Sequence, residues 1–218
     1  MTARLFPSIA RSVAWLVLAL VALGAGTTAP VAAGETPKAV ITVKLESPEF
    51  LVNIMKYRVL FLKTERKFIP LSGYDFGAAL ADELLNVLAE DSRLEWRLTT
   101  EADGLDAGKL WNDSTRRRLE LADGAKAVLL VDVIEYGAFV TDLGKDKFFV
   151  HAGLKLVDTS TGKRIWQKKH FLRRSDLEGK LDALQADEQK GLKLGINAAL
   201  EEFCRETAAE LKKVAVPQ

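Results

Sequence analysis

The chain reads as an α/β sandwich, a mixed β-sheet with helices packed on it. The stretch from Lys126 to Gly137 is an almost unbroken apolar run, as expected of a strand covered on both faces. Leu154 to Trp166 reads as an alternating strand, an Asp-Thr-Ser-Thr-Gly turn and a cationic return, which is a hairpin pattern. Other segments repeat apolar residues every three or four positions, as helices lying on a sheet do.

Residues 1–33 have the three parts of a secretory signal. Arg4 and Arg11 form the positive region, Val13 to Ala25 the apolar region, and Val31-Ala32-Ala33 before Gly34 the small-residue cleavage site. Export to the bacterial periplasm, with a soluble product after cleavage, is therefore expected. The alternative is an uncleaved inner-membrane anchor, because Ser12 to Gly34 is 23 residues without a charge. Gly24, Gly26, Thr27, Thr28 and Pro30 make the second half of that stretch a poor membrane helix. A lipoprotein signal needs a cysteine at the cleavage point, and the only cysteine is Cys204.

Of 31 Lys+Arg and 30 Asp+Glu, cleavage removes only Arg4 and Arg11, leaving 29 against 30. That balance argues against a nucleic-acid partner, which needs a cationic excess. One cysteine cannot make an internal disulfide, so stability must come from the core. The expected organisation is a signal at 1–33, a leader and extra strand at 34–56, one α/β domain at 57–214 and a tail at 215–218.

Ala39 to Leu45 alternates Val/Ile with Thr and Lys, which predicts a half-exposed strand ended by Ser47-Pro48-Glu49. Tyr57 to Leu62 predicts a second strand, followed by a polar loop through Pro70. Ser72, with Asp75 three residues on, predicts a capped helix whose stripe is Phe76, Leu80, Leu84, Val87 and Leu88. Leu94 to Leu98 predicts a short strand, with Trp96 filling core space. Asn112 or Asp113 can cap a helix running to Leu121, and Gly124 suits a left-handed helix end.

Ala127 to Ile134 is the expected central strand, interrupted only by Asp132. Phe148 to Val157 is expected to pair with Arg164 to Leu172 across a turn in which Gly162 takes positive φ. Leu192 to Val214 predicts the last helix, buried along Ile196, Leu200, Phe203, Thr207 and Leu211. Cys204 borders that stripe and is expected as a small core residue.

From Tyr57 onward, the order of elements resembles the domain shared by the curli-secretion channel lipoprotein (CsgG-like), the amino-terminal domain of TolB, and the LpoB-like lipoprotein activators of penicillin-binding proteins. Val59–Leu62, Phe76–Leu85, Leu94–Trp96, Gly124–Val131 and Leu156–Trp166 carry the resemblance, over about three quarters of the chain after residue 33. It implies a curli-secretion/TolB-N-like fold and a periplasmic protein acting through protein–protein interaction. The lipid-bearing cysteine of most relatives is missing, and the strand at Ala39 to Leu45 lies outside the shared pattern. A pore is not expected, since Ala138 to Lys147 is too short for barrel-forming hairpins.

The sequence holds no nucleophile elbow and no phosphate-cradling loop, so no catalytic, cofactor or metal residue is expected. Asp132 is the one candidate for a perturbed acid, and His151 and His170 fall on the two strands of one hairpin. An exported hydrolase using Asp132 and a histidine is therefore the alternative to a non-catalytic protein. Lys163, Arg164, Lys168, Lys169, Arg173 and Arg174 form the most distinctive surface. They suit an acidic patch on an envelope protein, or anionic lipid or cell-wall polymer if the chain is a sensor. The same charges also suit plain protection of an edge strand against unwanted pairing.

Overall fold

The computed structural model describes residues 36–58, 61–99, 124–141, 146–176 and 181–216. Among these, a seven-stranded mixed sheet carries two helices. The elements are β1 (Lys38–Leu45), β2 (Phe50–Arg58), β3 (Phe61–Ile69), α1 (Phe76–Leu88), β4 (Glu95–Leu98), β5 (Ala127–Thr141), β6 (Lys147–Asp158), β7 (Arg164–Asp176) and α2 (Leu181–Leu211).

β5 organises the sheet. Its first half pairs in parallel with β1, from Ala39↔Ala127 to Leu45↔Val133. Its second half pairs in parallel with β2, from Leu51↔Gly137 to Met55↔Thr141. β6 runs antiparallel along its other side, and β7 follows β6. β4 lies beyond β1 in parallel, and β3 lies beyond β2 antiparallel.

β1 and β2 thus share one flank of β5, and the sequence explains the gap between them. Pro48 has no N–H to give a ladder and interrupts the strand. At the same level β5 shifts register between Val133 and Glu135, a bulge that matches the break. The Glu46 N–H donates to the Val133 carbonyl at 2.9 Å, and the Tyr136 hydroxyl donates to the Pro48 carbonyl at 2.5 Å. Beyond the bulge β2 presses so close that a Cβ on Gly137 would sit 1.8 Å from the Leu51 carbonyl oxygen. Only glycine fits there.

Both helices lie on one face of the sheet. Phe76, Leu80, Leu84 and Leu88 of α1 and Ile196, Leu200, Phe203 and Leu211 of α2 are buried against Ile41, Phe50, Leu129, Val131, Val150 and Leu154. Gly195 lets α2 settle on the ring of Phe148, where a Cβ would collide at 1.8 Å. The other face is buried at its centre too, through Val40, Val128, Leu130, Phe149 and Val157. Alternate residues of β5 face opposite ways, yet Ala127 to Val131 are all 3 % exposed or less. The run is apolar because both of its faces are dry.

Two polar devices hold the ends. Arg93, in the α1–β4 connection, donates at 2.9 Å to the carbonyl of Leu211, the last residue of α2, and at 2.9 Å to that of Val214 in the turn beyond it. Asp91 pairs with the same guanidinium at 2.6 Å and orients it. A cation there satisfies orphan carbonyls and meets the negative end of the helix dipole. At the β6–β7 turn, Asp158 accepts from the Ser160 and Thr161 N–H groups at 2.8 and 3.2 Å. Gly162 adopts φ +64°, and the buried Thr159 hydroxyl donates to the Ala125 carbonyl at 2.6 Å. The Asp-Thr-Ser-Thr-Gly phrase is therefore a structural turn that ties the hairpin to the start of β5.

Several expectations need correction. Tyr57 to Leu62 is not one strand: it runs across the β2–β3 connection, and the expected loop up to Pro70 is mostly β3. β3 is polar because it is an edge whose Lys63, Thr64, Arg66 and Lys67 are exposed. Residues 38–56 do not precede the domain; β1 lies between β5 and β4, and β2 between β5 and β3. The cap of α1 is Asp75, whose carboxylate accepts from the Ala78 N–H at 3.0 Å, and not Ser72.

β5 continues to Thr141, well past Ile134. α2 begins at Leu181, and its first part is set apart by left-handed backbone at Asp187, Glu188 and Gln189. The Gln189 amide compensates by donating to the Pro70 carbonyl at 3.0 Å and accepting from the Ser72 N–H at 3.1 Å. The expected signal at 1–33 and helix at 112–121 lie outside the described residues. Among the described residues, no helix is long and apolar enough to cross a membrane.

The Arg93 device makes a prediction. Arg93→Ala should lower the unfolding free energy by about 1–3 kcal/mol in urea titrations, because it strips charge-assisted bonds from α2 and from Asp91. The Arg93 hydrogen bond holds the Asp91 carboxyl below its ordinary value. A lowered carboxylate stabilises the fold above the unfolded value of about 3.9 and ceases to do so as pH falls below it. Asp91→Asn should therefore flatten the acid limb of a melting-temperature profile below about pH 4.

Candidate functional site

Among the described residues β7 bonds to β6 alone, which puts it at one edge of the sheet they form. The cationic residues that the sequence singles out lie on it or at its turn, and the strand divides them. Lys163 is exposed in the turn, where its carbonyl accepts from the Asp158 N–H at 2.9 Å. The exposed Arg164 donates to Gln167 Oε1 at 2.5 Å. Lys168 faces the helices, with Nζ 3.7 Å from Glu210 of α2 and 4.6 Å from the centre of the Phe171 ring. Lys169 is exposed. Arg173 stands opposite Val150 in the register, and its side chain lies outside the described residues. Arg174 is exposed and lies 4.7 Å over the ring of Phe139 on the face opposite the helices.

Lys163, Arg164, Lys169 and Arg174 are thus the exposed cations of this edge. Lys168 helps to hold α2 against the sheet. Exposed ion pairs contribute about 0–1 kcal/mol, so the edge charges are poorly explained as stabilisers of the fold.

A second set of ionisable groups lies on the sheet face away from the helices. Asp132 sits in the middle of β5, with Oδ1 3.9 Å from Lys44 Nζ. That oxygen is buried and has no hydrogen-bond partner among the described residues. His151 does not pair with Asp132: its register partner is Glu135, and Nδ1 lies 3.8 Å from Glu135 Oε1. The other Glu135 oxygen accepts from Arg66 at 2.7 Å.

Glu135 and Arg66 escape sequence reasoning because the bulge in β5 and the β2–β3 hairpin bring them together. No local pattern marks either. A histidine and a carboxylate are the components of general-base chemistry, which works at about 2.6–3.2 Å. Here the separation is wider, and the carboxylate is held by a guanidinium. The arrangement is an Arg66–Glu135 ion pair with His151 beside the carboxylate, spread across strands. His170 falls in the irregular part of β7 between Lys168 and Phe171, and its side chain lies outside the described residues.

Lys155 of β6 is also buried, at 2 % exposure, and burial raises the pKa of three further interior groups. Burial raises the Tyr136 hydroxyl to about 12, and its ring stacks on Phe76 at 3.9 Å. Tyr74 is raised further, mainly by burial, and donates to Asn197 Oδ1 at 2.5 Å. Burial also pushes the Cys204 thiol well above its usual range, which leaves it protonated and inert. Among the described residues, no three His, Cys, Asp or Glu side chains are placed to hold a metal ion.

No protein-family model matches the chain, and no curated protein matches it. Solved structures do. A protein of Xanthomonas campestris described by the family DUF330 is similar over 80 % of this chain and 82 % of its own, with a TM-score of 0.52 and 11 % identity. The hypothetical protein CT253 of Chlamydia trachomatis is similar over 80 % of this chain and 96 % of its own, with a TM-score of 0.51 and 16 % identity. These likenesses show the fold: a mixed sheet with helices packed on it. Lipoprotein GNA1162 of Neisseria meningitidis matches at a TM-score of only 0.35, which carries no further inference.

The setting of Asp132 leads to a second prediction. If its charge serves neither catalysis nor a strong pair, Asp132→Asn should shift the unfolding free energy by less than about 1 kcal/mol. Urea denaturation of the two proteins measures this directly. A loss above about 3 kcal/mol would mean that the buried carboxylate is half of a tight ion pair.

Proposed function

We propose that this chain is a non-catalytic protein of the bacterial periplasm that binds an envelope protein. It acts there as an auxiliary or regulatory subunit in assembly, transport or secretion. The observation that carries this reading is the β7 edge, where Lys163 of the turn and Arg164, Lys169 and Arg174 of the strand are exposed, and where the described residues place no further strand. An exposed strand edge offers backbone groups to an extended segment, and the cations select an acidic one. The secretory pattern of residues 1–33 supports the compartment. The sequence resemblance to curli-secretion, TolB-like and LpoB-like periplasmic domains supports the class of role.

Several polar groups that enzymes use have structural engagements in this molecule. Glu135 is held by Arg66, and the Tyr136 hydroxyl is bonded to a backbone carbonyl. This favours binding over the hydrolase alternative.

A photoreactive residue at position 169 should capture one envelope protein in intact cells, whereas the same residue at the exposed position 194 of α2 should not. Combined Lys163→Glu, Lys169→Glu and Arg174→Glu should reduce that capture at least about tenfold, since rim charges govern encounter and orientation. Equal capture at both positions, or capture untouched by charge reversal, would reduce the charged edge to protection against stray pairing. If the triple variant instead loses binding to anionic vesicles while protein capture persists, the edge reads lipid.

A further inference from the structure

We propose that β3, at the opposite edge of the sheet, is where two copies of this chain meet. The copies pair β3 with β3 antiparallel, in the register that sets Thr64 opposite Thr64 of the partner. Among the described residues β3 bonds to β2 on one side only, and its other side has no strand partner. The main packing of the two helices is on β1, β4, β5, β6 and β7, and β3 is exposed at Lys63, Thr64, Arg66, Lys67 and Phe68. The hairpin also exposes aromatic surface, with Phe68 50 % and Tyr57 48 % accessible. A polar strand edge flanked by exposed aromatic rings can pair where its charges find complements.

The charges on β3 choose the occupant. In antiparallel pairing about a two-fold axis, residues directly opposite each other lie on the same face of the joined sheet. The strand reads Lys63-Thr64-Glu65-Arg66-Lys67. Registers centred on residue 63, 65, 66 or 67 each put a charged residue opposite its own copy. The register centred on Thr64 puts threonine against threonine, and Lys63 against the partner's Glu65 on both sides of the axis. Thr–Thr pairs and opposite charges are the favourable cross-strand combinations.

Arg66 needs no new partner, because Glu135 of its own chain already holds it at 2.7 Å. Glu65 keeps its contact with Lys67, 3.4 Å away, and gains a second cation. A lone strand pair covers less than the roughly 1,200–2,000 Å² of a stable interface, so the dimer is weak and depends on concentration. Because β3 and β7 are opposite edges, β7 stays open in the dimer.

Sedimentation of the full-length protein over a concentration series tests this by charge exchange. Lys63→Glu and Glu65→Lys should each weaken self-association at least about tenfold, as two attractions become two repulsions. The double variant should associate as the unaltered chain does. An equimolar mixture of the two single variants should also associate, because each then meets its complement. A folding defect in a single variant cannot produce that rescue, and circular dichroism melts confirm that both are folded. An unaltered chain that stays monomeric, single variants that associate normally, or a mixture that stays apart would each overturn the proposal.

Discussion

The fold depends on one condition: β5 must be dry on both faces while it is hydrogen-bonded along both edges. Burying a strand is costly unless every N–H and C=O finds a partner. β5 meets that demand with β6 on one flank and with β1 and β2 in succession on the other. Its length of 15 residues makes one partner on the second flank insufficient, and the break at Pro48 marks the handover. The bulge between Val133 and Glu135, the Tyr136 bond to Pro48 and the absent side chain at Gly137 are local consequences of that handover.

This condition also decides where chemistry can lie. The interior next to β5 accepts apolar side chains and polar groups whose bonds are internal, such as Thr159 and Tyr136. Most charges stand at the margins, with the buried Lys155 of β6 and Asp132 of β5 as exceptions. Lys44 and Arg66 approach β5 from neighbouring strands, and the exposed cations gather on β7. Among the described residues, the outer strands β3, β4 and β7 carry charge at the margins of the sheet. The proposed binding at the edges is compatible with a centre that packing closes.

Legibility in the sequence tracked how local each cause was. The central strand, the β6–β7 hairpin with its Gly162 turn, the stripe of α1 and the later part of α2 were legible, since each is written in neighbouring residues. β3 was misread because an exposed edge strand has the composition of a loop. β2 was missed because Asn53 and Lys56 blunt its apolar pattern. The place of β1 inside the sheet depends on parallel pairing with distant β5, which no window of sequence contains. Asp132 was visible as an anomaly, whereas its neighbour Lys44 and the Glu135–Arg66–His151 grouping arise only from register. The cationic residues were visible as a group, but their division between the helix side and the open side follows from the register shift between Lys168 and Phe171 and from contact with Glu210.

Amide hydrogen exchange tests the central condition most directly, because protection reports how much of the fold must open to free each N–H. If β5 is the strand on which the others depend, its amides from Val128 to Val133 should exchange only through global unfolding. Those of the edge strands β3 and β7 should exchange through smaller local openings. Exchange of Val128 to Val133 as fast as that of β7 would contradict the account, since it would make the centre of the sheet no more secure than its margin.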